Sequence, residues 1–190
     1  VLYDALVHPD LLEYAKDAEC IFVGKKVGVC QFKQEDIHDL IIKNAHEKGI
    51  VVRLKGGDPY IFGRGHEELT ITKAAGIEVE VIPGISSCYS VPELQQIPLT
   101  RRGINESFWV VTGTTRSHEL SDDIYMAAKS SATVVVLMGM SKLAQIIELY
   151  QKEGKGELPI AIIQNGSLSN EKIGLGRINT ILKEVENKQL

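Results

Sequence analysis

The chain has 190 residues and a net charge of −4 near neutral pH, with 21 Lys and Arg against 25 Asp and Glu. That length holds one domain or two small ones, the mild acidity argues against non-specific nucleic-acid binding, and no stretch approaches the ~20 apolar residues of a membrane-spanning helix. No signal-peptide pattern opens the sequence, and Cys20, Cys30 and Cys88 are odd in number, widely spaced and without a C-x-x-C step, which is the usage of a reduced, cytoplasmic compartment.

Val1 to Val7 predicts a strand, and His8-Pro9-Asp10 starts a short helix with Asp10 as its cap and Leu11, Leu12 and Ala15 on its apolar face. Cys20 to Gly24 predicts a second strand, ending at Lys25-Lys26. Ile37, Leu40, Ile41, Ile42 and Ala45 recur with a helical period over residues 34–48, and Gly49 stands in the C-cap position. Residues 50–54 form a short apolar run rich in β-branched side chains, a third strand. A glycine-rich connection follows, then a helix to Ala75 stopped by Gly76, then a strand from Val79 to Ile82 that stops at Pro83-Gly84. Strands alternating with helices imply a parallel sheet with crossover connections, an α/β fold. In such sheets ligands bind outside the carboxyl ends of the strands. Asp4 to Val7, Gly24-Lys25, Gly56 to Asp58 and Gly84 to Ser87 all fall at or just after those ends. The polar, irregular stretch Arg101-Arg102-Gly103-Ile104-Asn105 marks a boundary between a domain of residues 1–104 and one of residues 105–190. In the second, 108–112, 133–137 and 160–163 predict strands, and residues 141–150 a helix with Leu143, Ile146, Ile147 and Tyr150 on one face.

The connection after the third strand carries the most information. Residues 53–68 read RLKGGDPYIFGRGHEE, and four glycines, two arginines and a lysine exceed what a strand-to-helix turn needs. Gly56 and Gly57 let the backbone turn sharply and let a ligand approach it, Pro59 makes the turn rigid, and Glu67 and Glu68 suit the positive end of the next helix. The loop is neither a G-x-G-x-x-G fingerprint nor a phosphate loop ending in Gly-Lys-Ser/Thr. His8, His38, His46, His66 and His118 show no metal-ligand spacing, and no G-x-S-x-G is present around Ser86 or Ser87. Lys25, Lys26, Arg53, Lys55, Arg64, Arg101 and Arg102 cluster at strand ends and loops, a focus able to hold an anionic ligand on an acidic protein. Small side chains in VIPGISSCYS (81–90) and the sulfurs of Met138 and Met140 leave room and soft contacts at two further strand ends.

RLKGGDPYIFGRGHEE resembles the central motif of the tetrapyrrole methylase family, and in particular of its uroporphyrinogen-III C-methyltransferases, which use S-adenosylmethionine (SAM). The motif is specific, since diphthine synthases and the later cobalamin-pathway methylases keep the GDP step but usually not GRGHEE. The resemblance covers nearly the whole chain. It implies two α/β domains of the tetrapyrrole methylase type with the active site in the inter-domain cleft. It also implies two successive methylations of uroporphyrinogen III to precorrin-2 on the way to sirohaem or cobalamin. SAM is then the methyl donor, with no metal, in a cytoplasmic homodimer with no nucleic-acid or membrane partner.

Residue by residue, the family's GGDP loop is similar to Gly56, Gly57 and Asp58 with Ile61 beyond, and these are implied SAM contacts. Its PGIT-A segment is similar to residues 83–87, with Ser86 and Ser87 where Thr and Ala are usual; its YMG turn is similar to Leu137-Met138-Gly139, and its ENGT turn puts Gly166 beside SAM. The family's YD-x-LV strand matches Tyr3-Asp4-Ala5-Leu6-Val7 and its VGK step matches Val23-Gly24-Lys25, so Asp4 and Lys25 are implied to move protons. Lys25 is equally suited to clamp a substrate carboxylate. Arg64, Arg101 and Arg102 are candidates for further carboxylate contacts, by charge. The family's opening strand and G-x-G-P-G-D loop are not in this sequence, nor is a closing strand after Leu190. Residues are therefore expected to precede Val1 in the natural protein, and a sheet lacking that inner strand should leave neighbours about 9.6 Å apart with unpaired edges. Two other readings remain: a later cobalamin-pathway precorrin methylase, against which GRGHEE argues, and a truncated, non-catalytic SAM- or tetrapyrrole-binding module.

Overall fold

Strand pairing in the computed structural model, which describes residues 1–24 and 32–190, begins at Leu2. Strand β1 (Leu2–Tyr3) is the middle of three parallel strands, between β2 (Ile21–Phe22) and β3 (Arg53–Leu54). The strand expected over residues 1–7 ends early for a local reason. The Asp4 carboxylate accepts the Leu6 N–H at 3.0 Å, an Asx turn that bends the chain out of the sheet. The run 50–54 likewise pairs only at Arg53 and Leu54, although the Leu2 N–H still reaches the Val52 carbonyl at 2.8 Å. The helix expected after His8 is a 3₁₀ helix, Pro9–Ala15, and its cap is His8 rather than Asp10. Pro9 occupies the first turn, where a missing N–H costs nothing, so the capping position falls one residue before it.

Helix α1 (Gln34–Lys48) places Ile37 and Ile41 against Leu2 and Val23, with Ile21, Phe32, Leu40 and Val51 around them. Asp36 accepts the Lys33 N–H at 2.7 Å at its start, and the Gly49 N–H closes its end on Ala45. Helix α2 (Gly65–Ala74) follows β3 and the glycine-rich loop. The strand expected at Val79–Ile82 is absent as a ladder. Its exposure still alternates, with Val79 and Val81 half-buried and Glu78 and Glu80 exposed, but among the described residues it has no strand partner. A groove of about 670 Å³ is lined by Val52 and Leu54 of the β3 run together with Val79 and Val81. Side-chain alternation is written in the sequence, whereas a ladder also needs a partner within about 5 Å.

The described chain divides into two compact units, Val1–Ser86 and Ser87–Leu190. The irregular stretch 101–105 lies inside the second unit, where Arg101 and Asn105 bridge to each other. The second unit opens with α3 (Ser87–Leu94), which has no counterpart in the sequence reading. Strands β4 (Phe108–Thr112) and β5 (Thr133–Leu137) are parallel, in register from Phe108 opposite Thr133 to Thr112 opposite Leu137. Helix α4 (Asp122–Lys129) lies between them in sequence, and α5 (Leu143–Lys152) follows β5. The strand expected at 160–163 is β6 (Pro159–Gln164), which pairs antiparallel with β7 (Lys172–Arg177); α6 (Ile181–Lys188) follows β7. The core of this unit joins Val111, Ile124, Ile146, Ile147, Tyr150 and Ile181. Among the described residues no helix is long and apolar enough to cross a membrane.

Candidate active site

In the first unit, three strand ends meet because the ladder is parallel. Tyr3 stands opposite both Phe22 and Leu54, so Asp4, Gly24 and Lys55-Gly56 leave the sheet on the same side. Contact is close: a Cβ on Gly24 would lie 2.4 Å from the Ala5 nitrogen, and one on Gly56 would lie 2.4 Å from the Leu6 Cβ. Gly56 is therefore required for packing against the turn that Asp4 makes. Gly57 answers a different need, with φ at +105°, a conformation side chains disfavour. Lys25, implied as a proton mover, lies outside the described residues.

Under this edge sits an ion cluster that the sequence reading missed. The Glu68 carboxylate, 7% exposed, accepts from the Arg53 Nε at 3.3 Å, from the Lys55 Nζ at 3.1 and 3.2 Å, and from the Gln34 Nε2 at 3.1 Å. The Arg53 Nη1 donates to the Leu54 and Leu2 carbonyls, at 2.7 and 3.4 Å, and its Nη2 faces the Asp4 Oδ2 at 3.5 Å. Burial, then repulsion from Arg53, pulls the Lys55 ammonium below the usual lysine range, against the attraction of Glu68. The sequence placed Glu67 and Glu68 together as dipole-matching acids. The fold separates them: Glu68 turns inward, while Glu67 stays half exposed and pairs with Arg64. Glu68 and Thr72, one turn on, share the buried face of α2, a placement the sequence alone does not show.

Asp58 is placed at the loop but is occupied by backbone. Its Oδ1 accepts the Tyr60 N–H at 2.8 Å and its Oδ2 accepts the Gly84 N–H at 3.1 Å. It ties the GGDP loop to the Pro83–Ile85 segment, and the Gly84 and Tyr60 amides hold its carboxyl below the usual range. A folded-state value below the unfolded one means stability that is present above the unfolded pKa, about 3.9 for Asp, and lost as pH falls through the lower folded value. We expect Asp58→Asn to lose part of this tie at neutral pH and to show a shallower fall in melting temperature on acidification than the wild type. Parallel melting curves from pH 7 to 3 check it; identical curves would show that the tie contributes nothing.

Ile61 is partly exposed and Ile85 largely so, the latter just before buried Ser86. Arg64 adopts a left-handed conformation with φ of +58° at the start of α2, and its guanidinium forks onto Glu67 at 2.8 and 2.5 Å. In the second unit, Ser87 opens α3, and Gly166 lies against Val91 of that helix. Met138, at φ of +56° and 58% exposed, directly follows β5, and its carbonyl accepts the hydroxyl of Thr114, two residues after β4, at 2.9 Å. Arg101 and Arg102 are exposed on the loop that Asn105 closes. The first unit thus brings together Asp4, Gly56, Gly57 and Asp58, and the second brings Gly166 and Ser87 to the same helix.

An α/β chain with a glycine-rich loop at its parallel strand ends is the setting of a ligand-handling enzyme. The sequence profile of the Tetrapyrrole (Corrin/Porphyrin) Methylases matches residues 1–182, and the chain belongs to that family. It is 41% identical to the uroporphyrinogen-III C-methyltransferase of Methanocaldococcus jannaschii over 191 residues, covering 99% of this chain and 79% of the relative. It is 40% identical to the siroheme synthase of Actinobacillus pleuropneumoniae, covering 98% of this chain and 39% of that protein. Among solved structures, the uroporphyrin-III C-methyltransferase of Thermus thermophilus complexed with S-adenosylhomocysteine superposes with a TM-score of 0.78. It is 33% identical, with 96% of this chain and 77% of that one covered.

Proposed function

We infer that the chain is a SAM-dependent C-methyltransferase that methylates uroporphyrinogen III at two ring carbons in succession, giving precorrin-2. The observation that carries this is likeness over the whole chain, 41% identity across 99% of it, to a relative of that activity. The local geometry fits. Among the described residues nothing lies nearer the missing Cβ of Gly57 than the Ile85 carbonyl, at 3.7 Å, an open approach of the kind a bound donor needs. Bound SAM supplies an electrophilic methyl group. Gly56, Gly57, Asp58 and Ile61 from the first unit, and Ser86, Ser87, Met138 and Gly166, are the residues we assign to holding it. Asp58 acts there by shaping the loop, because its own oxygens are occupied. Asp4, partly buried at a strand end, is assigned the proton lost from the ring system after the pyrrole carbon attacks, with Lys25 as its counterpart. Arg64, Arg101 and Arg102 are the cations assigned to substrate carboxylates, and Arg64 would exchange Glu67 for one of them. Cytoplasmic location and a homodimer accompany this reading through the family resemblance.

Mass spectrometry of the product from uroporphyrinogen III and SAM tests it. Addition of two methyl groups is expected. No added methyl group would remove the assignment, and methylation of a later precorrin instead would establish the cobalamin-pathway alternative.

A further inference from the structure

We propose that Glu68 is a positioning residue for Asp4, holding Arg53 and Lys55 so that the charge facing Asp4 stays balanced. The proposal rests on the reading of Asp4 as the base, and it extends that reading to a residue that touches neither reacting group.

The argument is one of geometry and charge counting. Among the described residues of this cluster, Asp4 and Glu68 contribute two negative charges, and Arg53 and Lys55 contribute two positive ones. All four are substantially buried, with side-chain exposures of 23% for Asp4, 7% for Glu68, 14% for Arg53 and 11% for Lys55. Ions so far from water interact more strongly than surface pairs and tolerate imbalance poorly. Glu68 is the hub. It binds the Arg53 Nε, which fixes the plane of the guanidinium and leaves the NH2 group facing Asp4. It also takes both contacts of the Lys55 ammonium, so the flexible lysine chain is drawn to α2. Lys55 directly precedes Gly56, so the same pair pins the start of the loop that packs on Leu6. From α1, Gln34 donates to Glu68 and contacts the His38 ring at 3.2 Å, which makes His38 the one further titratable group reaching the cluster from that helix among the described residues. Among the described residues the remaining contact to the Asp4 carboxylate is the Leu6 amide at 3.0 Å; Lys25, next in sequence to the Gly24 that packs on Ala5, lies outside them.

The consequence is a sign that a merely structural role does not predict. Glu68→Gln keeps the shape and one oxygen able to accept from Arg53, Gln34 and Lys55, as Oε1 does now, but gives up the second acceptor and leaves a surplus positive charge near Asp4, which favours the carboxylate. The acid limb of the pH profile of kcat/KM should then move to lower pH by about one unit. Lys55→Gln leaves a surplus negative charge and should move the same limb to higher pH by a similar amount. The double variant restores neutrality and should return the limb close to the wild-type position. Because the substrate is the same in every assay, its own titration cancels in the comparison.

The experiment is the set of kcat/KM profiles of wild type, both single variants and the double, with uroporphyrinogen III and SAM, beside melting curves and Asp4→Asn. Opposite shifts with return in the double support the proposal. Limbs that coincide with wild type in both single variants, while Asp4→Asn is inactive, overturn it and leave the base assignment standing. An active Asp4→Asn with an unchanged profile removes the base assignment and the proposal together. If Glu68→Gln does not fold, Lys55→Gln decides alone: a limb at higher pH supports the proposal and an unmoved one overturns it.

Discussion

Replacing Gly57 by valine is expected to weaken SAM binding at least tenfold, or about 1.4 kcal/mol. The cause is backbone strain more than blockage. At φ of +105° this residue lies outside the regions that side-chain-bearing residues occupy, whereas among the described residues the space around its missing Cβ is ordinary, with the Ile85 carbonyl at 3.7 Å. Forcing such a conformation costs on the order of 1–3 kcal/mol, and the loop relaxes away from it if it can. Relaxation moves Asp58, and with it the Gly84 amide that Asp58 holds. Gly57→Ala should therefore do nearly as much harm as Gly57→Val, since both share the forbidden φ. Gly56→Ala should act differently, by clashing with Leu6 and lowering the melting temperature before it affects binding. Isothermal titration with SAM separates the cases, and unchanged affinity in both Gly57 variants would remove the loop from the SAM site.

The second large effect belongs to Asp4. Asp4→Asn should lower turnover by about 10²–10⁴, the range of a lost general acid–base group, while SAM affinity stays within about twofold. The amide preserves volume and can still accept the Leu6 N–H, so the turn survives. What it removes is the charge facing Arg53 at 3.5 Å and the capacity to take a proton. Single-turnover rates with uroporphyrinogen III, read beside SAM titrations, check this. If SAM affinity falls in step with the rate, Asp4 serves binding; if neither changes, another group carries the proton.

How much of this was written in the chain differs from element to element. The helical period of Ile37, Leu40 and Ile41, the apolar runs 108–112 and 133–137, and the α/β class are local patterns, and each stands in the structure where the sequence puts it. RLKGGDPYIFGRGHEE was also legible, because glycines and a proline in that order restrict the backbone whatever surrounds them. Ladder formation, partner choice and charge pairing were not local. Val79–Ile82 has the alternation of a strand and no partner among the described residues, and Ile160–Ile163 reads as a buried strand whose direction its own sequence does not give; it pairs antiparallel with β7, whose glycines at 174 and 176 hide it from periodicity. Glu67 and Glu68 are adjacent and chemically identical, so the sequence treats them alike. Only the folded helix, setting neighbours about 100° apart, sends one to solvent beside Arg64 and buries the other between Arg53, Lys55 and Gln34. A residue's type and spacing fix what it can do, but which charge it meets depends on residues 13 to 34 positions away that only the fold brings to it.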